Sequence, residues 1–146
     1  MRARNTSSGF TLIELMIVVV LLGIFASIAV PSFSRLVENN RLQSSASELY
    51  RLLMSAREDA ITKRVSVTVS QSGSSWKAAQ GGSDTRSISI PASVTATPEN
   101  SVTSVVFKPD GTAATMVVNF ASTNATIKYI IKTDLPGRVT MSSANP

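Results

Sequence analysis

Glu14 stands alone: it is the only charged residue between Phe10 and Ser34, in a run otherwise made mostly of Leu, Ile, Val, Ala and Phe. An ionised carboxylate in hydrocarbon is expensive, so a chain that keeps one there has a partner or a function for it. The chemistry this suggests is ion pairing. The alternative is that Glu14, close to the start of the run, snorkels to a polar boundary. A second group is cationic. Lys128 and Lys132 share one face of an alternating stretch, separated by Ile130, and Arg138 follows the Pro136-Gly137 break. Three such charges on one edge would be candidates for contact with phosphates. The plainer reading is a solvated strand face whose lysines keep the edge from aggregating. Nothing points to catalysis. The chain has no histidine, which removes the usual general base and the commonest metal ligand. It has no cysteine, so no disulfide staples the fold. Asp59, Asp84, Asp110 and Asp134 are scattered, and Gly81-Gly82-Ser83 lacks the spacing of a phosphate-binding loop. The expectation is a protein that is not an enzyme and holds no metal or cofactor.

The elements that position these residues follow from periodicity. Residues 10–30 would span about 31 Å as a helix at ~1.5 Å per residue, close to the ~30 Å hydrocarbon thickness of a bilayer. Arg2 and Arg4 precede the run and favour an orientation with the N-terminus inside. An ordinary secretory signal, with small residues at Ser27-Ile28-Ala29, and a plain single-span anchor are the competing readings. Gly23 and Pro31 weaken the helix, and Pro31, which removes a backbone hydrogen bond, predicts a kink. Beyond it, Phe33, Leu36, Val37, Ala46, Leu49, Tyr50, Leu53, Ala56, Ala60 and Ile61 recur at three- and four-residue spacing as one apolar stripe. Glu38 with Arg41, and Glu48 with Arg51, are spaced to pair across the polar face.

From Val65 the period changes to two, as Val65, Val67 and Val69 alternate with Ser66, Thr68 and Ser70. Further strands are expected over 76–79, 87–90, 94–97, 102–107, 116–121, 126–133 and 138–141. Between them lie turns at Ser72-Gly73-Ser74, Lys108-Pro109-Asp110-Gly111 and Pro136-Gly137, with a loop over 81–84 and a frayed tail over 142–146. Trp76, Tyr50 and Tyr129 are expected in the core rather than as stacking platforms for bases. The fold class expected is α+β: a long N-terminal helix whose second half packs on an antiparallel, β-rich C-terminal domain. The segments are 1–9, 10–30, 31–64 and 65–146.

Gly9 followed by Phe10-Thr11-Leu12-Ile13-Glu14 and a long apolar run resembles the N-terminus of type IV pilins and type II secretion pseudopilins. The turn Phe107-Lys108-Pro109-Asp110-Gly111 and the element Gly137-Arg138-Val139 are similar to the minor-pilin group that includes FimT, FimU and the pseudopilin GspH. The resemblance implies a leader over 1–9, cut between Gly9 and Phe10 by a prepilin peptidase, and N-methylation of Phe10. It implies that Glu14 sets assembly register by pairing with the Phe10 amine of a neighbouring subunit, and that Pro31 kinks the helix. Without Arg2 and Arg4, the net charge of +5 becomes about +3. The implied setting is the bacterial inner membrane, single-pass, before assembly into a cell-surface pilus. The implied partners are other minor and major pilins, the peptidase and the inner-membrane assembly platform. The implied function is that of a minor pilin priming pilus assembly at the tip. The alternatives are a GspH-like pseudopilin, a DNA-binding minor pilin for natural transformation, and a major pilin. FimT-type DNA binders carry a Gly-Arg-x-Arg element, whereas this chain reads Gly137-Arg138-Val139-Thr140 and lacks the second arginine.

Overall fold

The structure, a computed structural model, describes residues 10–144. Among the described residues one α-helix, α1 (Leu12–Lys63), is followed by eight strands and a single 3-10 turn at Glu99–Ser101. The strands are β1 (Val67–Ser72), β2 (Ser75–Gln80), β3 (Ser83–Ser89), β4 (Thr95–Pro98), β5 (Ser104–Phe107), β6 (Met116–Ala121), β7 (Lys128–Thr133) and β8 (Val139–Ala144). The chain divides after Ser34 into two compact units.

The first unit is apolar and bare. Thr11 caps α1: its Oγ1 accepts from the Glu14 N–H at 3.3 Å, and its carbonyl accepts from the Leu15 N–H at 3.2 Å. This is half of a capping box, a T-x-x-E spacing in which the hydroxyl satisfies an orphan donor of the first turn. Pro31 lies inside the helix, where its missing N–H leaves the Ser27 carbonyl without its usual donor. Among the described residues, none of the apolar window is buried.

The second unit owes its core to one face of α1. Leu42, Ala46, Leu49, Leu52, Leu53, Ala56 and Ala60 are buried at helical spacing. Each large side chain hidden this way contributes roughly 1.5–3 kcal/mol. The covering is two antiparallel sheets, ordered β3-β2-β1-β5 and β4-β6-β7-β8. Val67, Val69, Trp76 and Phe107 from the first, and Val118, Phe120 and Ile131 from the second, join the same cluster. Alternation along β1 and β6 sends every second residue inward, as period-2 strands require. Trp76 is buried, and Tyr50 and Tyr129 pack against the core.

Several expected boundaries shift. The stripe begins later than its spacing implies: Phe33 and Leu36 are exposed, and Ile61 is 45% exposed. β3 starts at Ser83, because the turn needs only Gly81 and Gly82, both at positive φ. The stretch 126–133 becomes a strand only from Lys128, since Thr126 is held by Asn39 of α1 instead. The tail does not fray at residue 142: β8 pairs with β7 as far as Ala144 opposite Lys128. Glu38 and Arg41 pair at 3.2 Å, whereas Glu48 and Arg51 form no ion pair among the described residues.

Two glycine turns meet at the end of the domain where α1 terminates. Gly111 and Gly137 both have positive φ, 79° and 73°. A Cβ on Gly137 would run into the Gly111 carbonyl, whereas one on Gly111 would meet the flexible end of Ile61 at 2.9 Å. Gly137→Ala is therefore expected to cost on the order of 3 kcal/mol, and Gly111→Ala about 1 kcal/mol. Thermal unfolding of the full chain in detergent, followed by the fluorescence of its single tryptophan, Trp76, measures both.

Candidate functional site

Two surfaces carry the residues singled out by chemistry. The first is the N-terminal half of α1. Phe10, Leu12, Ile13, Leu15 and Met16 are all exposed, and the carboxylate of Glu14 engages no group among the described residues. Only its backbone N–H is used, by the Thr11 cap. Gly9, like Arg2, Arg4 and the rest of the expected leader, lies outside the described residues. A helix satisfies its own backbone, so such a segment is stable wherever its side chains are covered by lipid or by other helices.

The second surface surrounds β7. Lys128 and Lys132 occupy outward positions, while Ile131 and Thr133 turn inward and Tyr129 is half-buried. The turn after β7 is tightly bonded. The Gly137 N–H donates to the Asp134 carbonyl at 2.7 Å, and the Asp134 N–H donates to the Arg138 carbonyl at 3.0 Å. Asp134 then draws in two of the three cations, with Lys132 Nζ at 3.0 Å from Oδ1 and Arg138 Nη2 at 3.4 Å from Oδ2. The hydrogen bond from Lys132, helped by its charge and by Arg138, holds the Asp134 carboxyl below the usual carboxylate range. So Lys132 and Arg138 converge, but on a shared acid. Lys128 lies four residues away at the other end of β7 and has no ion-pair partner among the described residues. Arg138 is 71% exposed on its side chain and keeps donors directed at solvent. Asp110 is accounted for locally: its Oδ1 accepts from the Thr112 Oγ1 at 2.7 Å and N–H at 2.9 Å. Those bonds hold its carboxyl low. Among the described residues no cluster of three or more acidic side chains has metal-binding geometry.

Residues that the spacing did not flag hold this surface in place. Arg57 Nε donates to the Gly111 carbonyl at 3.2 Å and Nη2 to the Pro136 carbonyl at 3.4 Å. One guanidinium thus fastens both glycine turns to α1. Ala113 continues the link by donating its N–H to the Leu135 carbonyl at 3.2 Å. Near the other end of the domain, Asn39 makes two 3.0 Å bonds with Thr126, and Glu38 accepts from Ser122 at 3.0 Å. The available signal for Arg57 was its position, four residues from both Leu53 and Ile61, where an arginine on the apolar side needs acceptors from outside the helix.

The Asp134 cluster gives a pH prediction. A carboxyl whose native pKa is depressed contributes stability above its unfolded pKa of about 3.9, and that contribution fades as pH falls through the native value. Asp134→Asn is therefore expected to lower the melting temperature slightly at neutral pH. The deficit should shrink at acid pH, below the ordinary carboxylate range, in melts taken as a pH series.

Comparison with known proteins agrees with these features. A model of the family described as "Type II transport protein GspH" matches residues 45–144, more than two-thirds of the chain. A second, "Prokaryotic N-terminal methylation motif", matches residues 4–30. Among solved structures, the type IV minor pilin FimU of Pseudomonas aeruginosa is similar with a TM-score of 0.64 and 22% identity, over 73% of this chain and 92% of that one. The minor pseudopilin EpsH of the Vibrio cholerae type 2 secretion system is similar with a TM-score of 0.61 and 11% identity, over 70% and 97%. A helix packed with two antiparallel sheets is the fold shared with those structures, the apolar segment carries the methylation motif, and the chain belongs to the GspH family.

Proposed function

We propose that the chain is a minor pilin that primes type IV pilus assembly at or near the tip. It is inserted in the inner membrane, cut between Gly9 and Phe10 by a prepilin peptidase and methylated on Phe10. Its role is structural rather than catalytic. One observation carries the reading: a helix half long and apolar enough to cross a membrane, uncovered by the described residues, with a single charge near its start. In a bilayer those side chains face lipid; in a filament they face the same segments of neighbouring subunits. The transfer exchanges one apolar setting for another and so favours neither strongly. The discriminating contribution comes from Glu14. Cleavage creates a cationic α-amine at Phe10, and a carboxylate in apolar surroundings gains most from pairing with such a group on a neighbour. Losing one partner of a buried pair costs about 3–5 kcal/mol. That is enough to make entry into the filament depend on the contact.

A type II secretion pseudopilus is the second reading, favoured by the family match. It uses the same N-terminal chemistry with different partners, and neighbouring genes for a pilus or for a secretion system separate the two. DNA contact through Lys128, Lys132 and Arg138 takes third place, because Asp134 already neutralises part of that group.

Glu14→Ala is expected to leave membrane insertion and leader cleavage intact and to lower recovery in sheared filaments at least about tenfold, a penalty smaller than that of a broken buried pair. Normal assembly of this variant would end the register role. DNA contact predicts binding by a fragment starting near Ser34 that falls steeply with salt and weakens in Arg138→Ala. Absence of binding at low salt would leave the three cations as a solvated edge.

A further inference from the structure

The sheet ordered β3-β2-β1-β5 stops at β3 and leaves one flank of α1 uncovered. The pairing of β3 determines which of its backbone groups face that opening. The Ile90 N–H donates to the Ser74 carbonyl at 2.8 Å, and the register places Ser89 opposite Ser75, Ile88 opposite Trp76 and Ser87 opposite Lys77. In an antiparallel ladder, opposed residues alternate between pairs that exchange both bonds and pairs whose N–H and C=O groups point outward. Arg86 and Ile88 therefore bond to β2, and the backbone groups of Ser87 and Ser89 are directed at the free edge. Proteins commonly blunt such edges with bulges and charges. Here the blunting is confined to one half: the register slips beside Thr85, and Lys77 pairs with Asp84 at 2.7 Å. From Arg86 to Ser89 the edge is regular.

Beside this open half runs a groove. A cavity of about 490 Å³ lies between Arg86, Ile88 and the helix residues Glu48, Arg51, Leu52 and Ser55. A second, of about 340 Å³, continues it from Glu48 past Ser45 and Arg41 to Ser89 and Pro91. β3 thus follows the helix in the opposite sense, with an apolar floor at Leu52 and Ile88. The mouth is cationic. Arg51 has no ion-pair partner among the described residues, and Arg86 reaches Asp59 only at 3.7 Å. Glu48 is the only acidic residue lining the larger cavity.

We propose that an extended segment of a neighbouring filament subunit adds to β3 as a further strand of this sheet. Its main chain pairs with Ser87 and Ser89, an apolar side chain rests on Leu52 and Ile88, and a carboxylate meets Arg51 and Arg86. This rests on the filament reading above. A strand placed ~4.8 Å beyond β3 carries the sheet over the bare flank of α1, as β1 and β2 already do elsewhere. Main-chain bonds give such a contact its strength, and alternate side chains give it its selectivity.

The test uses the full chain expressed with its filament partners. Ser87→Pro removes one outward N–H and no ladder bond, at an edge position where proline is tolerated. Ser87→Ala keeps that N–H. Ser87→Pro is expected to melt like the wild type in detergent yet to fall about tenfold in sheared filaments, while Ser87→Ala assembles normally. In the wild type, the Ser87 and Ser89 amides should exchange with deuterium far more slowly in filaments than in detergent. That second measurement decides the matter should Ser87→Pro fail to fold. Normal assembly of a folded Ser87→Pro, or equal exchange in both states, overturns the added strand and leaves the filament reading standing. Absence of the wild-type chain from every filament overturns both.

Discussion

Among the described residues, nothing covers the apolar side chains between Phe10 and Ser34. That constraint governs the rest of the molecule. A helix can live with it because its backbone bonds are internal, so the segment demands only an apolar surrounding. On the proposed reading, lipid supplies this before assembly, and the matching segments of other subunits supply it afterwards. A surrounding that is equally apolar in both states does not say where each helix should stop. On the proposed reading the single carboxylate of Glu14 does, because it is the one charged group in the segment and its energy depends strongly on what stands next to it.

The folded domain solves a related problem with the same helix. From Leu42 onward the apolar face is buried by two sheets of the same chain rather than by partners. The two sheets share a core with the helix, and polar clips fasten them to it near both ends of the packed stretch. Asn39 and Glu38 hold the β6–β7 loop, and Arg57 holds the two glycine turns. The Arg57 bonds run to carbonyls rather than to a carboxylate. They therefore anchor backbone while leaving the cations of that turn to Asp134.

Much of this plan is legible in the residues. The long helix, the change of period near Val65 and the turn at 108–111 are local signals, and the folded chain carries all three. The misreadings share one cause. Phe33 and Leu36 fit the stripe but are exposed, because periodicity says which face is apolar and not how far the sheets reach along it. The stretch 142–146 reads as a frayed terminus, yet the ladder to β7 holds it as far as Ala144. Asp134 lies between two cations that spacing alone placed on a strand face and beyond a break. Arg57 and the free edge of β3 were invisible because each is defined by carbonyls or amides brought from elsewhere in the chain, and backbone groups carry no sequence signature.

The central claim is that the Glu14 carboxylate meets the N-terminal amine of another subunit. Carbodiimide treatment of isolated filaments joins a carboxylate directly to an amine in contact with it, without a spacer. Mass spectrometry of filaments assembled from a mixture of isotopically light and heavy subunits then reports which chains were joined. The account predicts a peptide in which Glu14 is linked to the N-terminal residue of a different subunit, absent when the protein is treated in detergent. Filaments that contain the chain but yield Glu14 unmodified, or linked only within its own chain, would contradict it.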